Sequence, residues 1–437
     1  MRYSPDRRTA LVLCGTGAHG AYHAGVLKAL EEAGVKIDVM AGQGIGGAAA
    51  ALGAVDGASR LWDQKGIWRR GAAKSLYQWK TSVRVAGWLA FLFVALTLAA
   101  LVLLATGRES ASPSWPIAAV LTLAGALLTI VVVGSIAAGR ASKRRSTEGK
   151  PWWRLLGAPV DGDRARSTFA GALWELLHAG GPVRNPTRAD VGRRYAEVLN
   201  ESVGQPGFRE LMIVATDLDS RRDIVAALLR DPFRRDFVAA RPGEERRAEI
   251  IDLAGTGREH AFDVIAAALT PPVACDPHLV TFGVDSYWRG ETHRLCDRPG
   301  ACSRMLDELA GAGVTQTIIV SAVAAPRVPH RLAGARVEPR HRLGEFLAAA
   351  ESAAIRDARD MGRLRFDTVH VISPSHNPIG PFDVRGAYDE SSDRWTDLTE
   401  LMNRGYEDAY RQFIEPVVGA SGEQIAHVRP VDVDMPG

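Results

Sequence analysis

Two glycine turns, each placed between a short apolar run and a helical pattern, constrain residues 9–53 more than any other feature of the chain. The first turn reads GTGAHG over residues 15–20, and the second reads GQGIG over residues 42–46. Glycine is required where a backbone turns tightly or another backbone approaches closely. Later apolar runs at 209–218, 315–323 and 368–374 alternate with helical patterns in the same way. The sequence therefore predicts an α/β fold with a mostly parallel sheet.

The second turn lies where a serine hydrolase of the α/β class carries its nucleophile. Such enzymes use G-x-S-x-G, which presents the serine on a sharp strand-to-helix elbow. Here Gly42 and Gly46 occupy the outer positions, but the middle residue is Gly44, which has no side chain. The sequence thus predicts the frame of a serine hydrolase without its nucleophile.

The first turn also fits the G-x-G-x-x-G fingerprint of dinucleotide-binding proteins, in which a helix N-terminus faces a phosphate. An acidic residue, Asp38, follows in the next apolar run. It lies early in that run, whereas the ribose-binding acid belongs at the end of a strand. A nucleotide-binding membrane protein is therefore kept as one alternative.

Read together, the two turns and the helix between them resemble the patatin-like phospholipases. The strongest match is GAYHAGVLKAL at residues 20–30, and SHNPIGPFD at 375–383 resembles a late segment of bacterial members. The resemblance is close over 9–57 and looser over 209–291 and 369–416. It implies a layered α/β fold, an oxyanion-type first turn and a Ser-Asp dyad at the elbow. The turn residues concerned are Gly15, Gly17, Ala18, His19 and Gly20.

The chain departs from that family at all three chemical positions. Gly44 replaces the serine, and His19 replaces the usual cation of the oxyanion turn. Aligned by pattern, the strand that should end in the dyad aspartate places Arg289 at that position. A guanidinium stays protonated and cannot act as a general base. If another acid takes the role of the dyad aspartate, Glu291, two residues further along, is a better candidate than Asp285.

Two uncharged segments interrupt the soluble pattern. Residues 85–107 and 110–139 carry no charged side chain. A helix over 85–107, or over the 24 residues of the second segment that begin at Pro116, reaches about 35 Å, enough to cross a hydrocarbon core of about 30 Å. We expect a transmembrane helical hairpin over 85–139, inserted between the two parts of the α/β body at 1–80 and 151–437. Basic residues are concentrated on the outer flanks, at Lys65, Arg69, Arg70, Lys74, Lys80, Arg84, Arg140, Lys143, Arg144, Arg145, Lys150 and Arg154. The positive-inside rule then places the body on the cytoplasmic side of the inner (plasma) membrane.

Composition narrows the possible partners. The net charge is only +3, from 53 basic and 50 acidic residues, which argues against nucleic acid. The four cysteines are scattered, and the spacing of His293, Cys296 and Cys302 lacks the paired pattern of a structural zinc site. We expect no metal and no cofactor. Asp217 and Asp219 end an apolar run, and we expect them to cap the next helix.

The sequence therefore predicts a membrane-anchored member of the patatin-like family. We expect it to be catalytically inactive and to bind membrane lipid or a protein partner. An active lipid acyl hydrolase with rearranged catalytic groups is the main alternative, and the nucleotide-binding protein is the other.

Overall fold

The chain divides into two compact units, Met1–Tyr77 with Gly162–Gly437, and Gln78–Asp161. The computed structural model describes residues 3–69, 71–106, 119–120, 122–126, 128, 157–178, 187–239, 248–283, 288–324 and 338–419. The first unit holds the sheet and the glycine turns, and the second holds the long apolar helix.

A mixed sheet of nine strands forms the centre of the first unit. Its main path runs β5-β4-β3-β2-β1-β8-β9, and β7 pairs with both β3 and β6. Strands β1, β2, β3, β8 and β9 are mutually parallel, while β4 and β7 run antiparallel to β3. The strands are β1 Thr9–Cys14, β2 Val39–Gln43, β3 Glu210–Asp217, β4 Arg222–Leu228, β5 Ala248–Asp252, β6 His278–Thr281, β7 Thr292–Cys296, β8 Gln316–Ser321 and β9 Thr368–Ile372. A separate hairpin pairs β10 Ala387–Asp389 with β11 Arg394–Thr396.

Helices cover the sheet, as the alternating pattern predicts. Every residue of β1 and β2 is buried, which is the mark of strands packed on both faces. The α-helices of this unit are α1 Gly20–Glu32, α2 Ile45–Ala54, α3 Ser59–Trp62, α5 Asp163–Leu177, α6 Arg188–Ser202, α7 Phe233–Val238, α8 Ala261–Ala268, α9 Cys302–Gly311, α10 Pro339–Arg365 and α11 Leu398–Ala409. Short 3-10 turns occur at Gly17–His19, Gly71–Ser75 and Arg258–His260, and a π-helix occupies Tyr410–Gly419.

Close packing of α1 on α11 explains the glycine in the strongest family match. A Cβ added at Gly25 would lie 1.8 Å from the Met402 carbonyl oxygen, and one added at Gly405 would lie 2.3 Å from that of Tyr22. The Tyr22 hydroxyl donates to Asp408 at 3.0 Å across the same interface. The two helices therefore approach backbone to backbone, which fixes α1 and the glycine turn at its start.

One helix of the second unit matches the first predicted membrane span. Helix α4, Thr81–Thr106, includes a 19-residue segment, Thr81–Ala99, of mean hydropathy 1.8 in which no residue is buried. Among the described residues it alone is long and apolar enough to cross a bilayer. Most of the predicted second span falls outside the described residues, so the hairpin itself stays a prediction.

Candidate functional site

The second glycine turn forms a strained elbow between β2 and α2. Gly44 has φ 58° and ψ −137°, a conformation that side-chain-bearing residues adopt only under strain. The two outer glycines of the turn approach each other closely, because a Cβ added at Gly42 would lie 2.4 Å from the Gly46 carbonyl oxygen. The structure thus places Gly44 at a sharp strand-to-helix turn, in the geometry that presents a nucleophile in hydrolases.

A buried carboxyl group lies beside the empty position. A Cβ added at Gly44 would lie 3.0 Å from Oδ2 of Asp297, which directly follows β7 and is 2% exposed. The Thr16 hydroxyl, from the first glycine turn, donates to the same oxygen at 3.1 Å. Burial raises the pKa of Asp297 to about 7. A carboxyl group with a pKa near neutrality is suited to accept a proton.

This arrangement corrects the assignment of the aspartate position to Arg289. Arg289 is exposed, in the turn between β6 and β7, and Glu291 has a 72% exposed side chain 3.4 Å from His293 Nε2. Both precede β7, whereas Asp297 follows it. Six residues of extended chain separate Glu291 from Asp297, roughly 20 Å at the rise of a strand. Arg289 therefore does not stand at the dyad position, and Glu291 is not its substitute; Asp285 lies outside the described residues.

Asp297 was missed by the sequence pattern because it is followed by arginine, whereas the resemblance to the patatin-like family places a glycine after the dyad aspartate. The residues after β7 read DRPGA from 297 to 301. The remaining signal was an acidic residue directly after Leu295 and Cys296, the apolar end of the strand.

One amide group of the first turn and one at the elbow are used by the chain itself. The Ala18 N–H donates to the Pro381 carbonyl at 2.7 Å, and the Ile45 N–H, next to the elbow, donates to the Gly15 carbonyl at 2.9 Å. Gly17, at φ 61°, allows the first contact: an added Cβ would lie 2.0 Å from the Pro381 oxygen. Two donors that could have faced a substrate oxygen are therefore already bonded.

Both histidines of the turn are buried and neutral at pH 7. Burial lowers the pKa of His19 to about 3 and that of His23 to about 4, because desolvation disfavours the imidazolium. His23 Nε2 lies 2.8 Å from the Cys14 carbonyl oxygen. The position at which the family usually carries a cation therefore holds the neutral imidazole of His19.

A second buried acid lies under the site. Glu351, on α10, accepts a hydrogen bond from the Ser321 hydroxyl at 2.7 Å. Burial raises its pKa to about 7, and its charge is among the causes that raise the pKa of Asp297. The floor of the site thus holds two carboxyl groups that resist ionising together.

Two further residues of the first unit, Tyr77 and Arg166, bind the chain near Asp297. Tyr77 is the last residue of the first unit before the second unit begins, and its hydroxyl donates a hydrogen bond to the Leu269 carbonyl at 3.1 Å. After the second unit, Arg166 donates to the Thr270 hydroxyl at 2.8 Å. The Thr270 carbonyl in turn accepts from the Asp297 N–H at 2.9 Å. Arg166 is therefore linked to Asp297 through Thr270, and Tyr77 binds the residue that precedes Thr270.

Three further expectations have different outcomes. Asp38 lies before β2 and accepts from Thr9 N–H at the start of β1 at 2.9 Å, so the length of β1 separates it from the first turn and it cannot serve as a ribose acid there. Asp217 and Asp219 cap no helix, because β3 turns directly into β4. They bind the side chains of His293 and Arg294 instead. Within the described residues no group of histidine, cysteine and acidic side chains could hold a metal ion.

Comparison with known proteins agrees with this frame. The family model "Patatin: Patatin-like phospholipase" matches residues 11–230, half of the chain. This protein belongs to the patatin-like phospholipase family. The matched range includes both glycine turns but ends before Asp297.

Its similarity to individual family members is short. A 62-residue segment is 50% identical to patatin-like phospholipase domain-containing protein 6 of Mus musculus, covering 14% of this chain and 5% of that protein. A 50-residue segment is 52% identical to lysophospholipase nte1 of Aspergillus fumigatus, covering 11% and 3%. The chain thus spans a small part of these relatives. The crystal structure of VipD from Legionella pneumophila aligns with 94% of this chain and 67% of that one at 14% identity, with a TM-score of 0.34, too low to establish a shared topology.

Proposed function

We propose that this protein is a membrane-anchored patatin-family member that has lost hydrolysis by the family's serine and instead binds membrane lipid or a protein partner. The observation that carries the proposal is Gly44 at the elbow, with the Gly15 carbonyl oxygen 2.3 Å from the place where a side chain would begin. Acyl transfer at this elbow needs a nucleophile and an adjacent base. Asp297 supplies the base, and nothing at position 44 can attack an ester.

The anchoring part of the proposal rests on α4 and on charge. The helix is apolar over Thr81–Ala99, and basic residues flank the predicted hairpin on its outer sides. We place the body at the cytoplasmic face of the inner membrane on this basis.

A second candidate function is favoured by one contact. The Thr16 hydroxyl lies 3.1 Å from Oδ2 of Asp297. Together they form a hydroxyl–carboxylate pair near the elbow, and a nucleophile beside a base is the minimum that nucleophilic catalysis requires. In this candidate, Thr16 takes the role of the serine and the protein is an active lipid acyl hydrolase. The bonded Ala18 and Ile45 amides count against it, because acyl transfer depends strongly on free donors for the developing oxyanion.

Fluorophosphonate labelling of the purified protein in detergent separates the two candidates. We expect no labelling of the unmodified chain and no turnover of short-chain nitrophenyl esters or phospholipid. Covalent modification mapped to Thr16 by mass spectrometry, and lost in T16V, would establish the second candidate instead.

The membrane orientation is tested by accessibility of single cysteines. We expect an impermeant thiol reagent to label S112C in intact cells and not S142C. The native cysteines Cys14, Cys275, Cys296 and Cys302 are buried and give little background. The reverse labelling pattern would contradict the orientation, and release of the protein by alkaline carbonate would contradict insertion.

A further inference from the structure

The contacts around Gly44 give the proposed loss of hydrolysis, on which this inference rests, a specific structural cause. We infer that the site is closed by the chain's own groups: the Thr16 hydroxyl takes the place of the serine hydroxyl, and the Gly15 and Pro381 carbonyl oxygens take the place of a substrate oxygen. Gly44 and Thr16 then form one coupled change, and reversing both reconstitutes an ester-hydrolysing pair with Asp297.

The first contact concerns the base. Oδ2 of Asp297 lies 3.1 Å from the Thr16 hydroxyl and 3.0 Å from the place of a Cβ at Gly44. A serine introduced at the elbow would compete with Thr16 for the same carboxyl oxygen. A buried carboxyl group is costly without a donor, so Thr16 provides the hydrogen bond that the missing serine leaves unmade.

The second contact concerns space and the oxyanion donor together. The Gly15 carbonyl oxygen lies 2.3 Å from the place of a Cβ at Gly44, closer than any real Cβ contact. The same oxygen accepts the Ile45 N–H at 2.9 Å. In hydrolases with this elbow, the N–H after the nucleophile is one of the oxyanion donors. A single carbonyl therefore fills the position of the side chain and occupies the donor.

The third contact closes the other side of the turn. The Pro381 carbonyl accepts a hydrogen bond from the Ala18 N–H at 2.7 Å. A side chain at position 17 would overlap the same carbonyl oxygen, so Gly17 is needed for this contact. Pro381 belongs to the segment 375–383, which follows β9 and packs over the first turn. With Thr16 and Gly15, it completes a set of three internal contacts around the elbow.

Replacing Thr16 by glycine would remove two obstacles at once. It frees Oδ2 of Asp297, and it releases the Gly15–Thr16 peptide from the side-chain contact that holds it, so that the Gly15 carbonyl can rotate away from the elbow and free the Ile45 N–H. Glycine tolerates the backbone angles that such a rotation requires. The Pro381 contact remains, so we expect modest activity.

The reaction of the G44S/T16G variant follows from these positions. The introduced serine hydroxyl gives its proton to Asp297 as its oxygen bonds to the acyl carbon of an ester. The alcohol leaves with the proton from Asp297. A water molecule then gives a proton to Asp297 and its hydroxide to the acyl carbon, and the serine oxygen takes that proton as the carboxylic acid departs.

The test compares nitrophenyl butyrate hydrolysis and fluorophosphonate labelling in four full-length proteins: unmodified, G44S, G44S/T16G and G44S/T16G/D297N. We expect background rates for the unmodified protein and low rates for G44S. The double variant should exceed G44S at least tenfold and lose that gain in the triple variant. A G44S protein as active as the double variant, or a folded double variant at background, would overturn the inference.

A measurement on the unmodified protein guards against misfolded variants. If the site is closed as described, the amide hydrogens of Ala18 and Ile45 exchange with deuterium as slowly as those inside α1, and a boronic acid that mimics the tetrahedral intermediate does not change their rates. Fast exchange, or further protection by the boronic acid, would show open donors and contradict the inference. Hydrolysis by the unmodified protein would instead contradict the proposed function.

Discussion

The ends of β2 and β7 meet at one site and have changed in different ways. At the end of β2, the elbow keeps its backbone geometry at Gly44 but has no reactive side chain. At the end of β7, Asp297 keeps a buried carboxyl group beside that elbow, with a pKa raised to about 7 by burial. Under the proposed function, position 44 takes part in no reaction and needs only the backbone conformation of the elbow. The carboxyl group of Asp297, by contrast, accepts a hydrogen bond from the Thr16 hydroxyl whether or not a reaction takes place.

The pH dependence of stability tests the β7 end and has the largest expected effect. The folded pKa of Asp297 is about 7 and the unfolded value is about 4, so between these values the folded chain holds a proton that the unfolded chain has released. Stability therefore falls as pH rises from about 4 to 7, by up to about 4 kcal/mol from this group. We expect D297N, which cannot ionise, to reduce this slope in denaturant titrations and to leave the share that comes from Glu351, whose pKa is also raised to about 7.

Asp219 supplies the matched control for that experiment. Its hydrogen bonds with Arg294 lower its pKa, so its stabilising contribution is present above the unfolded pKa and is lost only as pH falls below about 4. D219N should leave the slope between pH 4.5 and 7 unchanged. Equal slopes for D297N and the unmodified protein would show that Asp297 is ionised in the folded state.

A side chain at the β2 end tests how tightly the elbow is closed. G44A should destabilise the protein by about 2–4 kcal/mol, because it combines a positive φ with overlap on the Gly15 carbonyl. Gly34 has φ +63° with open space around it, so G34A measures the backbone cost alone, about 1 kcal/mol. Chemical denaturation that gives equal losses for both variants would show that the Gly15 carbonyl yields easily.

The smallest expected effect tests the link between the two ends. T16V keeps the shape of the side chain but removes the donor to Asp297, and we expect a loss of about 1–2 kcal/mol in the free energy of unfolding. Thr317 is a matched control, because its buried hydroxyl has no hydrogen-bond partner within the described residues. T317V should be neutral or stabilising. A T16V variant as stable as T317V would remove the stabilising role assigned to the Thr16 hydroxyl.

The sequence predicted the parts of this molecule whose geometry depends on local residue types. Glycines at 15, 17, 42, 44 and 46 specify tight turns after apolar strands, and both turns appear where the pattern put them. Asp297 was missed because the aspartate position depends on which end of a short antiparallel strand reaches the elbow, and no local residue encodes that. The closure by Gly15 and Pro381 depends on carbonyl groups, which every residue carries and no sequence pattern distinguishes.

The β3–β4 connection gives the same lesson on a smaller scale. Asp217 and Asp219 end a strand and match a helix cap by residue type. The chain instead continues into an antiparallel partner, and the two carboxyl groups bind His293 and Arg294 of the neighbouring strand β7. The tertiary partner of a strand end decides the role of its polar residues.

The most direct test of the central claim is phospholipid hydrolysis by the unmodified protein in vesicles, measured beside D297N. An elbow without a nucleophile makes no use of a base, so the account predicts equal rates for the two proteins, both at the level of vesicles alone. A rate above background for the unmodified protein that falls at least tenfold in D297N would contradict it, because Asp297 would then serve a working nucleophile.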